Sequence, residues 1–347
     1  MYAQVIALLL LTCFRTLVIG ALDVADMYGV RWATDDLRWI RPCEFVIGMV
    51  VFFWLSGLVI ARTTLDRVSQ PRRLAVRGAA VVCGAASMYS AGLVPYRLVA
   101  LTVSGCTAAW LALEVCRAHG VSPTAAWFPA TARDRLRDWR IAGAALLACM
   151  VGGGLAKLLV ILLRWADIDG IPVMQGSQLG ALGVHNVGMI GLTVLWTVAI
   201  EDVVMVAATA ALLTAIRRPA WEIYTLICLI EVLAHAYFGL PAIAMALYAA
   251  GRVWLYRRYQ RLLPLMAAHA GFDFSAASVQ FLLPGFYRLL PMIPIALVVM
   301  WIDRRVNAAA VEERADRDVK QEPTPAGPAG SGADTPHIPD RSRALVT

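Results

Sequence analysis

The sequence predicts an all-α protein: a polytopic transmembrane helix bundle of about ten spans, followed by a disordered C-terminal tail. Three observations carry this expectation. Hydrophobic residues make up 60% of the 347 and the mean hydropathy is +0.66, well above the range of soluble domains. Apolar runs near 20 residues, the length a helix needs to cross a bilayer, recur along the chain. Arginines gather in alternate loops, as cytoplasmic loops do.

The expected spans lie near 2–22, 43–61, 75–94, 97–116, 141–163, 187–215, 221–238, 240–253, 262–283 and 289–302. The first is read as a retained helix, because Met1-Tyr2 opens it with no basic stretch and Arg15 interrupts it. Loop 62–77 holds Arg62, Arg67, Arg72, Arg73 and Arg77, and loop 117–140 holds Arg117, Arg133, Arg135, Arg137 and Arg140. Arg217-Arg218, the turn from Arg252 to Arg261, and Arg304-Arg305 continue the series. Between them, 23–42 and 164–186 carry little excess positive charge. With ten spans every basic loop falls on one side, which predicts an integral membrane protein of the cell (plasma) membrane with both termini cytoplasmic.

Three regions follow: N-terminal transmembrane helices over 1–140, a transmembrane core over 141–303, and a tail over 304–347. The tail is charged to Asp318 and then rich in Pro, Gly and Ser, a composition that cannot bury enough apolar area to fold. The formal charge of +7 sits in short loops between spans and does not point to nucleic acid. Seven cysteines, none in a CxxC, read as small core residues. The run Gly152-Gly153-Gly154 reads as a site of close helix packing.

The chemistry concentrates between Val187 and Asp273. From Val187 to Ile216 the only charges are the adjacent Glu201-Asp202, with fourteen residues on either side. A carboxylate at such depth costs roughly 2.5–3.5 kcal/mol on insertion scales and usually faces a bundle interior or cavity. The next apolar segment carries Glu231 and His235, and a later one His269 and Asp273. Both pairs are spaced i,i+4, which places them on one helical face. Charge balance among these acids calls for a buried cation, and Lys157, inside an apolar span, is the expected one. Snorkelling to the outer interface is the competing reading of Lys157.

The order Glu201-Asp202, then His235, then His269-x-x-x-Asp273 resembles the CPBP intramembrane proteases, the CAAX-processing and bacteriocin-processing group. The likeness runs from about Gly188 to Ser275. It implies an intramembrane endopeptidase acting on a membrane-embedded or membrane-apposed peptide within the lipid bilayer. In that pattern Glu201 and His235 would activate water, and His269 and Asp273 would fall where the oxyanion donors stand. The chain departs from the pattern at four positions. Asp202 replaces the second Glu, Val206 stands where an Arg is expected, Glu231 replaces a Phe, and Asp273 replaces an Asn.

An ionised Asp273 would only accept hydrogen bonds and so would repel an oxyanion. The added acids open another route. Glu231, His235, His269 and Asp273, with Glu201, form a mixed nitrogen and oxygen set suited to a divalent metal such as zinc. Two functions therefore stand open: a glutamate- or metal-dependent endopeptidase, and a non-catalytic relative that keeps the polar core for binding, immunity-like protection or cation handling. Counting inward from the loops places Glu201 and His269 nearer the cytoplasmic face than His235, a mismatch that tilt or a late helix start would reconcile.

Overall fold

The computed structural model describes residues 1–30, 39–63, 70–90, 97–166, 173, 184 and 186–282, together with Leu297, Met300, Trp301, Asp303, Arg304 and Ala308. Every named element among them is helical. We number them α1 (Tyr2–Met27), α2 (Ile40–Thr63), α3 (Gln70–Ser90), α4 (Arg97–Ala118) and α5 (Ala132–Ala166). The run Val187–Ala215 is α6; α7 is Ala220–Ala234, α8 Met245–Tyr259 and α9 Leu262–Leu282.

Among the described residues, six helices are long and apolar enough to cross a membrane: Tyr2–Asp26, Ile40–Arg62, Leu98–Ala118, Ala132–Ala166, Val187–Ala215 and Leu262–Val279. The apolar part of α3, Leu74–Met88, is shorter. The expected spans at 221–238 and 240–253 take a different form. Helices α7 and α8 have 15 residues each, or about 22 Å at 1.5 Å per residue, short of a hydrocarbon core of about 30 Å. They pack on each other and are joined by two 3₁₀ turns, Ala236–Phe238 and Leu240–Ala244. Gly239 makes the break between those turns at φ 78° and ψ −146°, a conformation open only to glycine, and Pro241 opens the second turn. This pair is a helical hairpin whose tip carries His235. The tenth expected span, 289–302, and the tail expected to be disordered lie outside the described residues, apart from the isolated positions above.

Helix starts follow local chemistry. Thr131 and Asp134 form a reciprocal cap: Thr131 Oγ1 accepts from the Asp134 N–H, and Asp134 Oδ2 accepts from the Thr131 N–H. That cap lets α5 begin nine residues before the expected span, inside the arginine-rich stretch. Asn186 Oδ1 accepts from Met189 N–H at 2.9 Å and starts α6.

Successive long helices alternate in direction, so the basic helix ends meet at one end of the bundle. Arg77 bonds Glu114 at 2.5 Å, Arg62 donates to the Ala118 carbonyl, and Arg261 pairs with Asp138. Arg218 lies over the Tyr2 ring at 5.4 Å and Arg137 over Tyr259 at 5.5 Å. At the opposite, arginine-poor end, Thr102 donates to the Leu192 carbonyl at 3.1 Å and Val184, Ile190 and Ala277 form their own apolar cluster.

Residues Met1–Val306 form one compact unit, and its main core runs from Val5 to Ala268, across position 140. Helix α6 is at its centre, with Ala199 to Ala208 almost wholly buried. Lipid removes the hydrophobic drive between helices, so small residues that let backbones approach do much of the packing. A Cβ on Gly152 would strike the Tyr248 backbone, one on Gly153 would lie 2.8 Å from the Phe272 ring, and Gly251 faces Ala148. Glycines on α5 thus bring it against both α8 and α9.

Candidate functional site

The two carboxylates of α6 sit in a helical irregularity. Ala199–Ala208 is a π-helical stretch between two α-helical segments, and Thr209 Oγ1 follows the same register by donating five residues back to the Val204 carbonyl at 3.0 Å. Such insertions alter which way neighbouring side chains face and recur at functional sites. Here the result is that adjacent residues reach one partner. Arg252 Nη1 donates to Asp202 Oδ1 at 3.0 Å, while Nη2 donates to Glu201 Oε2 at 3.1 Å.

Arg252 is the cation of the site. Its Nη2 also donates to Glu231 Oε2 at 3.0 Å, its guanidinium lies 4.1 Å from the Tyr248 ring centroid, and its side chain is fully buried. This corrects one sequence expectation and adds to another. Arg252 belongs to the buried stripe of α8, not to a cytoplasmic turn, and it supplies a cation to the acids for which Lys157 alone was expected. The signal was present in the spacing. Tyr248, Ala249, Arg252, Leu255 and Tyr256 recur at helical period and are all buried, whereas Arg257 and Arg258 fall off that stripe. Lys157 lines the same cavity.

His269 closes the other side of the cluster. Its Nδ1 lies 2.9 Å from Asp202 Oδ2 and 3.0 Å from Arg252 Nη1. An ionised Asp202 can only accept, so Nδ1 carries the proton and donates to it; Arg252 spends its own N–H on Asp202 Oδ1. The other nitrogen, Nε2, is 3.2 Å from Asp273 Oδ2 and 3.6 Å from Glu201 Oε2. Neither contact has hydrogen-bond alignment, and Nε2 is buried without a partner. Tyr248 meets the ring edge-on at 5.5 Å.

His235 terminates α7. Its Nδ1 lies 2.9 Å from the Glu231 carbonyl oxygen, an acceptor, so Nδ1 is the protonated nitrogen and Nε2 keeps its lone pair. The ring stacks on Phe238 at 5.9 Å. Glu201, Glu231 and His235 each bring a ligand atom within 4.8 Å of the others. Glu231 is fully buried, and its Oε1 has no hydrogen-bond donor. An orphaned carboxylate oxygen beside a second carboxylate and an imidazole is a donor set that fits a divalent cation. Of the five expected donors, Glu201, Glu231 and His235 form this set among the described residues, while His269 Nε2 and Asp273 Oδ2 lie 3.2 Å apart outside it.

These groups line one cavity of about 870 Å³. Glu201, His235, His269 and Asp273 all face it, and Glu231 and Asp202 lie behind its wall, bonded to Arg252. The depth mismatch disappears for a physical reason. The turn before α9 is roofed by the segment after α4, with Ala125 N–H and Thr124 Oγ1 both donating to the Gln260 carbonyl. Leu262 is therefore fully buried, and α9 starts well inside the protein, carrying His269 to the level of Glu201, whose carboxylate itself lies beside His235. The arrangement offers a carboxylate, an imidazole with a free lone pair, and a second imidazole with an unpartnered nitrogen around one enclosed space. No known family model, curated protein or solved structure matches this chain.

Proposed function

We propose that the protein is an intramembrane endopeptidase of the CPBP type, which cleaves a membrane-embedded or membrane-apposed peptide with an activated water. The observation that carries this reading is the meeting of Glu201 and His235 across an enclosed cavity inside a bundle of apolar helices. Glu201 takes the proton of a water held between it and His235 Nε2, the resulting hydroxide attacks the scissile carbonyl, and Glu201 returns the proton to the leaving amine as the C–N bond breaks. His269, protonated at both nitrogens, turns Nε2–H toward the oxyanion. Asp273 Oδ2 lies 3.2 Å from that same Nε2, so its charge favours the protonated imidazole, and the oxyanion takes the Nε2–H only by displacing it.

In the metal-dependent form of this reading, an alternative to Glu201 acting as base, Glu201, Glu231 and His235 would hold a divalent metal such as zinc. When bound it would supply a lowered water pKa and a Lewis acid for the carbonyl. The proposal also takes in the finer topology: both termini cytoplasmic, in the plasma membrane, with the ten expected spans reduced by the α7–α8 hairpin to an even eight, which the gathering of basic helix ends favours.

A second reading has one observation in its favour. Arg252 bridges Glu201, Asp202 and Glu231 as a structural ion cluster would, and a non-catalytic membrane protein could use such a core to bind a cation. Protein reconstituted in liposomes with a mixed library of transmembrane peptides separates the two. The peptidase reading expects new termini by mass spectrometry from the parent chain and none from Glu201→Gln. No cleavage of any peptide, or equal cleavage by the variant, would favour the binding protein.

A further inference from the structure

The cavity is one-sided. Each helix contributes to it from the same end of the bundle: α1 from Leu11 to Asp23, in its C-terminal part; α2 from Arg41 to Gly48, at its start; α5 through Gly153 and Lys157, late in the helix; and α9 from His269 to Ala277. Because these helices alternate in direction, a late position on α1 and an early one on α2 are at the same level. None of the basic residues that gather at the far end lines the cavity. Arg77, Arg117, Arg137, Arg218 and Arg261 are tied there instead to Glu114, Tyr259, Glu222 and Asp138. On that side the site is also floored. Arg252 and Asp202 are buried beneath it, and the Tyr256 hydroxyl donates to the Pro123 carbonyl at 2.7 Å, fastening the covering segment across α8. On the opposite side the cavity reaches charged residues of both signs, Arg15, Asp23, Arg41 and Glu44, at the arginine-poor end.

We propose that the site is served from the arginine-poor end of the bundle, so that its substrate is a peptide segment entering the membrane from that face. This deepens the peptidase reading and rests on it for the word substrate. The route itself does not depend on catalysis. The apolar lining, with Ile19, Met88, Leu101 and Trp196, suits an unwound apolar segment, and the charges of both signs interspersed with it suit the polar residues that flank such a segment at the interface. Cytoplasmic peptides, and segments emerging on the arginine-rich side, would meet the floor.

The test is thiol accessibility in the full chain in oriented membrane vesicles, read residue by residue by peptide mass spectrometry so that native cysteines need not be removed. Thr197→Cys and Ala276→Cys report the cavity. Tyr28→Cys, at an 85% exposed position beyond α1, marks the arginine-poor face, and Arg135→Cys, exposed near the start of α5, marks the other. The probe is a small, membrane-impermeant sulfonated thiol reagent. Both cavity cysteines should be labelled from the side that labels Tyr28→Cys and stay unlabelled from the side that labels Arg135→Cys. Labelling from the Arg135 side, from both sides, or from neither while the two reference positions react would overturn the proposal. A protein that cleaves nothing yet labels as expected would sink the peptidase reading and leave the route standing.

Discussion

Arg252 Nη2 and Glu231 Oε2 are 3.0 Å apart, and neither side chain has any exposure. The pair bears on two positions at which the chain departs from the sequence pattern it resembles. A guanidinium is missing one turn after Asp202, where Val206 stands, and an acid has appeared on α7 where the pattern has an apolar ring. The structure supplies the guanidinium from α8 instead. Its fork has N–H groups to spare after binding Asp202 and Glu201, and Glu231 accepts one of them.

Removing that cation should therefore be costly. Arg252→Met leaves Asp202 and Glu231 buried without their partner, and breaking a buried pair in this way costs about 3–5 kcal/mol. Arg252→Lys should fall between it and the parent, because an ammonium keeps the charge but not the planar fork. Adding Glu231→Gln to Arg252→Met should recover part of the loss, since the two residues are directly coupled. Reversible unfolding in detergent reads all three, and equal stability of Arg252→Met and the parent would mean that the cluster holds itself together without the guanidinium.

Catalysis, if Glu201 and His235 activate water, should fail without either. Glu201→Gln and His235→Ala should each lower kcat by about 10²–10⁴-fold, the range of a positioned acid–base group. The folded state should survive, because Glu201 is only partly buried and His235 lies at a helix end. Peptide cleavage in liposomes, with circular dichroism as the check on folding, separates lost chemistry from lost structure.

The helix class and the site helices were legible because membrane helices announce themselves by length and because charge is scarce inside them. Glu201, His235 and His269 stood out for that reason. What could not be read was how the chain gains depth without a full span. Gly239 falls between the expected spans 221–238 and 240–253 and Pro241 inside the second, whereas in the structure both belong to the tip of a short hairpin, and apolar length alone does not tell a span from half of one. Arg252 was hidden by company, since three more arginines follow it by Arg261 and the run reads as a cytoplasmic loop. Only the helical period, with tyrosines four residues to each side, separates the buried arginine from the exposed ones.

Metal binding should depend on Glu231 more than on Asp273. The orphaned Oε1 of Glu231 belongs to the set with Glu201 and His235, while Asp273 pairs with His269. Glu231→Gln should weaken zinc or cobalt binding at least about tenfold, the low end of what disturbing a metal's surroundings costs, and Asp273→Asn should change it less. Cobalt absorption and chelator competition on purified protein measure both. The reverse ranking would move the metal to the His269 side of the cavity.

The last prediction concerns how the site is held at its distance. A Cβ on Gly152 would run into the Tyr248 backbone, and Tyr248 carries the ring that covers Arg252. Backbone cannot yield as a flexible side chain can, so Gly152→Ala has to push α5 and α8 apart. Overpacking of this kind costs about 1–3 kcal/mol. The matched control is Gly57→Ala, also inside a helix but with nothing within 4 Å of the added methyl. There alanine should stabilise by about 0.5–1 kcal/mol, because glycine is the poorer helix former. The two substitutions are the same chemistry, so opposite shifts in detergent unfolding isolate the helix contact. If Gly152→Ala unfolds with Gly57→Ala, then α5 is free to slide on α8, and the position of the Tyr248 ring over Arg252 is set by something other than the glycine.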